Sequence, residues 1–447
     1  MEKRNSLDLG RTKVSRLFAE YYFPTLLSLS FSALLNVTDG IFVGRGVGSD
    51  ALAAVNVAAP VFMIATGIGL MLGSGMSVIG AIHMSRGNQA KANLCLTQGL
   101  GATLLTGIIV AAMVVLLPNQ LCYIFGGSDI LLPYVKDYLV NLWLGMLCYG
   151  TMVAGLFAIR LDGSPRFAMM SNVIPSVLNI FLDYLFVFPL DMGIGGAAIA
   201  TSISGLVGVL IIAAYFLFFS KGLHFCKPVQ TGEKLSKAAA EMWKMCKIGA
   251  PAFIGDTAIS FMLVVGNYMF IGMLGEDGVA AFSVACYLMP MVFMFGNSIA
   301  QSAMPIVSYN HGCGQENRVS ETFRLSLKVA VGSGLLVSVA VFLFGGVLAS
   351  CFIDPAVHAF TLAERGLPLF ALGFLFFTLN IVLIGYLQSI EDGKRATIFM
   401  LLRGYILIFA FSLFIPKLMG ETGLWLTVPF SEFATFILTI IFWPRKA

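Results

Sequence analysis

Charge is scarce in this sequence. Only 11% of its 447 residues are Asp, Glu, Lys or Arg, against roughly 25% in an ordinary soluble domain. The usual groups for chemistry are also missing. There is no GxxxxGK[ST] loop to cradle ATP phosphates. The eight cysteines form no CxxC and have no histidine at zinc spacing, so they read as small buried hydrophobes rather than metal ligands. His83, His224, His311 and His358 stand at the ends of apolar runs or in loops, and no Ser or Cys is placed with any of them as a nucleophile–base pair. An ATPase and a zinc protein are excluded, and an enzyme is not expected. The alternating short segments of a β-barrel are absent as well.

What is abundant is apolar surface. Hydrophobic residues make up 58% of the chain and the mean hydropathy is +0.90. No soluble fold of this size buries so much. Runs long enough to cross a bilayer, about 20 residues each, recur throughout. Twelve spans are expected at 17–39, 52–82, 92–117, 134–158, 167–188, 194–219, 245–271, 279–309, 325–350, 366–388, 396–416 and 422–443. The first run is too long for a signal peptide and lacks a small-residue cleavage site.

Lys and Arg divide unevenly between the two faces. One face carries the basic residues of the N-terminal segment, the 220–247 loop and the short loops at 86–91, 160–166, 318–328 and 394–403, with Arg445 and Lys446. The other has Arg45, Lys136, Arg365 and Lys417 only. The positive-inside rule then makes both termini and the central loop cytoplasmic. This bias accounts for the net charge of +4, and no nucleic-acid partner is needed.

The chain repeats itself. VGSDALAAVNVA at 47–58 aligns with LGEDGVAAFSVA at 274–285, an offset of 227 that also pairs Pro24 with Pro251, Gly69 with Gly296 and Gly87 with Gly314. At an offset of 230, Asp162-Gly163 pairs with Asp392-Gly393 and Gly193 with Gly423. Two halves of six spans each enter the membrane with one orientation, so a parallel repeat is expected, related by a pseudo-two-fold axis along the membrane normal. The expectation is an all-α polytopic membrane protein: an N-terminal lobe over 1–219, a cytoplasmic basic linker over 220–247 and a C-terminal lobe over 248–447. Duplicated halves of this kind suit a transporter.

Polar residues at bilayer depth are costly and therefore informative. In SNVIPSVLNIFLDYLFVF, residues 171–188, the positions Asn172, Ser176, Asn179 and Asp183 are spaced 4, 3 and 4. They share one helical stripe, and Pro175 is expected to kink the helix there. Asn172 and Ser176 read equally as glue between helices. Asp39, in LLNVTDGIFVGRG, supplies a second acid from the same half. Two carboxylates in a low dielectric do not both stay ionised without a cation, so the pair would take up a proton or hold Na⁺ among amide and hydroxyl oxygens. Thr201 lies on a small-residue face with Gly193, Ala197 and Gly205 and is the candidate hydroxyl. At offset 230 the second half has Phe409 and Leu413 where the first has Asn179 and Asp183. There Asp256 reads as the main buried acid. Asn36, Asn172, Ser176, Asn297 and Gln301 are candidates for a polar path or cleft lining, Ser308 sharing a stripe with the last two.

These residues resemble a known family. NVTDGIFVGRGVGSDALAA, RLDGSPRFAMMSNVIPSVLNIFLDYLFVF and QSAMPIVSYNHGCG look like motifs of a bacterial branch of the multidrug and toxic compound extrusion (MATE) transporters. The resemblance implies a cation site at Asp39, Asn179, Asp183 and Thr201. It also implies export of amphipathic, often cationic organic compounds in exchange for H⁺ or Na⁺, with no other cofactor. Another branch uses acids in spans seven and ten, which this chain does not match. A monomer in the bacterial inner membrane is expected, with membrane lipid as its surroundings. The rival reading is a flippase for lipid-linked precursors from the wider superfamily.

Overall fold

The structure, a computed structural model, describes residues 8–226 and 235–443. Lys3, Arg4, Lys227, Lys234, Arg445 and Lys446, part of the charge bias and of the expected linker, lie outside the described residues. Every regular element described is helical. They are α1 (Val14–Gly46), α2 (Ser49–Ser85), α3 (Gln89–Leu116), α4 (Pro118–Ile124), α5 (Leu132–Asn141), α6 (Trp143–Leu161), α7 (Pro165–Val187) and α8 (Gly193–Ala214). A π-helical turn, Tyr215–Phe219, extends α8. Then come α9 (Leu235–Gly312), α10 (Glu316–Ser350), α11 (His358–Ala371), α12 (Phe374–Ser389), α13 (Gly393–Leu401) and α14 (Leu407–Ile441).

The twelve expected spans map onto these elements. Two helices, α9 and α14, each carry parts of two spans and are interrupted at a glycine. Gly275 interrupts α9 at φ 66°, ψ −155°, and Gly420 interrupts α14 at φ 60°, ψ −136°, a backbone that only glycine adopts without strain. Spans four and ten are each made of two helices: α5 and α6 break at Leu142, and α11 meets α12 at 43°. The duplication is visible in the backbone. Positive-φ glycines recur as Gly48 and Gly275, Gly87 and Gly314, Gly193 and Gly420. The last pair restores the offset of 227 and corrects the expected match of Gly193 with Gly423, which lies past the turn, inside the second arm of α14.

Two compact units emerge: residues 1–253 with 304–319, and residues 254–303 with 320–447. In the first, a core of α2, α3, α6 and α8 side chains includes Met76, Ile79, Leu96, Phe157 and Ile212. In the second, Trp425 lies in an aromatic cluster, 4.9 Å from Phe270 between ring centroids. Gly366 has no side chain because the Trp425 ring occupies the space a methyl would need. Large apolar side chains such as Leu116, Phe218, Leu343 and Leu418 point outward, as lipid-facing helices require.

α7 continues as helix through Pro175, where the kink was expected. The proline ring is buried and packs beside Gly208 of α8, whose bare backbone leaves room for it. That packing offsets the hydrogen bond lost at Pro175.

Two charge readings are corrected in the second unit. Asp256 is only half-buried; the buried acid of that unit is Glu432, on the second arm of α14. Arg403 is not a loop residue. It sits in a π-helical turn, Leu402–Ile406, and its Nε donates to both Glu432 carboxylate oxygens at 2.9 Å. Asn380 of α12 donates to Glu432 Oε2 at 2.7 Å and to the Glu432 carbonyl at 2.8 Å, and Arg403 stacks over Phe377, 4.1 Å from the ring centroid. Three spans are thus tied at one buried ion pair. Breaking such a pair strands a charge, whereas replacing both partners with apolar groups does not. Arg403→Met alone is expected to destabilise by about 3–5 kcal/mol, and Arg403→Met with Glu432→Leu by far less. Thermal unfolding of the purified variants in detergent measures both.

Candidate functional site

α7 supplies the polar stripe. Its helical period turns Asn172, Ser176, Asn179 and Asp183 inward, and all four are buried, Asp183 at 0% exposure and Asn179 at 1%. The lower half of the stripe is satisfied locally. Asn172 Nδ2 donates to the Ser28 carbonyl at 2.9 Å and to Ser32 Oγ at 2.8 Å, bridging α7 to α1. Ser176 Oγ donates to the Asn172 carbonyl at 2.8 Å.

The upper half is different. With the Asn179 amide oriented so that its oxygen meets a donor, Nδ2 donates to Asp183 Oδ2 at 3.2 Å and Oδ1 accepts from the Thr201 backbone N–H at 3.1 Å. Asn179 therefore links α7 to α8, and Asp183 hangs from the same amide. Thr201 is buried on α8, beside the buried Ala197 and Gly205 of the small-residue face. Asp39 of α1 lies within Coulombic reach of Asp183. Oδ1 of Asp39 and Oδ1 of Asp183 are both buried, and neither has a hydrogen-bond donor among the described residues.

The contrast with the other buried acids decides what this means. Asp162, at the end of α6, accepts from Tyr215 Oη at 2.6 Å and from the backbone N–H groups of Lys221, Gly222 and Leu223 at 2.6, 2.8 and 2.7 Å. Glu432 has Arg403 and Asn380. Asp162 and Glu432 thus have donors on both oxygens, as most buried carboxylates do, whereas Glu241 Oε2 joins Asp39 Oδ1 and Asp183 Oδ1 in having none among the described residues. What sets Asp39 and Asp183 apart is that they lie within Coulombic range of each other, whereas the other oxygen of Glu241 stands 3.6 Å from His83 Nε2. Two carboxylates, one amide and one hydroxyl offer hard oxygen ligands suited to a monovalent cation, or an acceptor for a proton. The set is too small for a chelated transition metal, and no cluster of three or more His, Cys, Asp or Glu exists among the described residues.

Two residues escaped the sequence reading. Tyr138 of α5 and Tyr149 of α6 both lie within electrostatic range of Asp39 and Asp183. Tyr149 also engages Ser204, and its ring closes on Gly205, where an added methyl would stand 3.0 Å from the ring. No spacing could have linked them, because the helix breaks at Leu142 between the two. Of the remaining candidates, Asn36 is exposed on α1. Asn297 and Gln301 are half-buried on α9, in the second unit. Ser308, expected on a stripe with those two, is buried in the first unit.

The sequence model of the MatE family matches residues 24–185 and again 251–414. The chain belongs to the MatE family. The two matches begin 227 residues apart, in register with the repeat, and the first contains Asp39, Asn179 and Asp183. Multidrug export protein MepA of Staphylococcus aureus strain MSSA476 is 24% identical over 407 residues, covering 89% of this chain and 86% of MepA. The MATE multidrug transporter DinF-BH, solved as a complex, is 28% identical with a TM-score of 0.87, covering 98% of this chain and 97% of that one. An outward-facing multidrug resistance MATE transporter of the MOP superfamily aligns at a TM-score of 0.91 and 21% identity, covering 99% and 97%. The likeness extends across the whole chain, and the fold is that of a twelve-span, two-lobe MATE transporter.

If Asn172 is a bridge and the Asn179–Asp183 end is the ion site, the two are separable. Asn172→Ala is expected to lower stability by about 0.6–1.7 kcal/mol, the range for interhelical hydrogen bonds in membranes. It should leave cation-dependent protection against unfolding intact. Asn179→Ala should abolish that protection. Thermal unfolding in detergent with and without added Na⁺, and across pH, reads both.

Proposed function

We propose that this protein is a secondary active multidrug exporter that exchanges amphipathic, often cationic organic compounds for H⁺ or Na⁺ by alternating access, with both termini in the cytoplasm. The observation that carries the reading is that two buried carboxylate oxygens, on Asp39 and Asp183, lack a donor among the described residues and belong to acids within Coulombic range of each other. Two such groups within Coulombic range repel when both are ionised. A proton on one, or Na⁺ between them, removes the repulsion. Either draws α1 and α7 into a different relation, with α8 attached through Asn179 and Thr201.

Asn179 is the element that distinguishes the two ions. In its hydrogen-bonded orientation the amide N–H faces Asp183, which suits a proton cycle because no ion need stand between them. Half a turn of the amide puts its oxygen beside Asp183 Oδ2, the arrangement an intervening Na⁺ requires. The multidrug cargo is supported by the names of the relatives, a multidrug export protein and a multidrug transporter. The orientation is supported by the excess of Lys and Arg on one face. Absence of an ATP-binding loop supports an ion gradient as the driving force. Linkage then requires that drug binding weaken ion binding to the same degree that the ion weakens drug binding.

An efflux-deficient bacterial host expressing the protein should gain tolerance to cationic dyes and quaternary ammonium compounds. Asp39→Asn and Asp183→Asn should each return tolerance and dye efflux to the empty-vector level while the protein still reaches the membrane in normal amount. Normal efflux by both variants overturns the assignment.

A further inference from the structure

The cytoplasmic-end turns of α1 and α7 enclose a feature that the ion site does not use. A cavity of about 420 Å³ opens on the outer surface of the first unit, with Arg16 and Arg166 at its rim and Phe23, Pro24 and Leu27 of α1 forming its wall. Met169 of α7 closes the other side. Arg16 is the third residue of α1 and Arg166 the second of α7. Both helices start from the face that carries the excess of basic residues, so the two guanidinium groups stand at one level, that of the lipid headgroups. The wall above them is apolar and faces outward, Phe23 at 64% and Leu27 at 47% exposure.

The charges at the rim are not balanced within the protein. Arg16 Nε donates to Glu20 Oε1 at 2.8 Å, which leaves its two terminal amino groups as donors. Arg166 has no hydrogen-bond or ion-pair partner among the described residues. Two guanidinium groups and one carboxylate leave a single positive charge. An Arg pair at headgroup depth with an apolar track above it is complementary to a phosphodiester bearing acyl chains. Glu20 is already engaged by Arg16, so the site offers nothing to a headgroup ammonium. We propose that this cavity binds one anionic phospholipid of the cytoplasmic leaflet, of the phosphatidylglycerol class, with its phosphate between Arg16 and Arg166 and an acyl chain along Phe23 and Leu27. The chain would lie against Pro24, where the missing N–H leaves the Glu20 carbonyl without its helical donor.

Native mass spectrometry of the purified full-length protein in non-ionic detergent tests this. The lipids are dioleoyl phosphatidylglycerol, phosphatidylethanolamine and phosphatidylcholine, titrated in parallel. Wild type should retain one phosphatidylglycerol roughly thirty-fold more tightly than phosphatidylcholine, from about fivefold per arginine at a membrane surface. Arg16→Gln and Arg166→Gln should each lose about fivefold of that preference, and the double variant all of it. Both arginines are exposed, so the variants should fold, and an unchanged unfolding temperature verifies that they do. Arg86→Gln, an exposed basic residue outside the cavity, should keep the preference. Equal preference in wild type and double variant overturns the proposal. So does an equal loss in Arg86→Gln, tighter retention of phosphatidylethanolamine, or displacement of the lipid by millimolar inorganic phosphate.

Discussion

A carboxylate oxygen inside a membrane protein must meet a donor or a cation, and this chain is organised around where it supplies the donor and where it does not. Asp162 receives four hydrogen bonds and holds the segment after α8 against the end of α6. Glu432 receives Arg403 and Asn380 and ties three helices together. Asp39 and Asp183 keep one buried oxygen each without a donor among the described residues. The first two acids stabilise a fixed arrangement. In the proposed function the last two create an electrostatic demand that an arriving proton or cation would satisfy.

The duplication repeats the scaffold but not its buried acids. Glycines at positive φ recur at Gly48 and Gly275, Gly87 and Gly314, and Gly193 and Gly420, so the turns between spans are the same device used twice. The acids are not repeated. Asp183 has no acidic counterpart, and the buried acid of the second half is permanently held by an arginine of its own unit. A resident guanidinium leaves Glu432 no need for a visiting ion, which is consistent with coupling centred on the first half.

Much of this was legible in the linear chain because membrane burial makes patterns strict. Span count follows from apolar length, and the repeat from ungapped matches. The facing of Asn179 and Asp183 follows from spacings of 4, 3 and 4 on one helix. Legibility ended where geometry depends on a second element. Tyr138 and Tyr149 come within electrostatic range of the two acids from either side of a break at Leu142 that no local signal marks. Arg403 read as a loop cation because it follows Lys394 and Arg395 closely, and Glu432 is the only acid in its span, with its partner 29 positions away. Pro175 reads as a breaker in isolation. Its packing beside Gly208 is a tertiary fact that no local rule contains.

The central claim is that the unsatisfied Asp39–Asp183 pair couples an ion gradient to export. Reconstitution into proteoliposomes tests it most directly, with a cationic dye as cargo and pH and Na⁺ gradients imposed separately across the membrane. The account predicts that one of the two gradients drives dye transport by the wild-type protein and that Asp183→Asn removes the gradient-driven component while leaving dye binding intact. Transport by Asp183→Asn that responds to the gradient as the wild type does would contradict it.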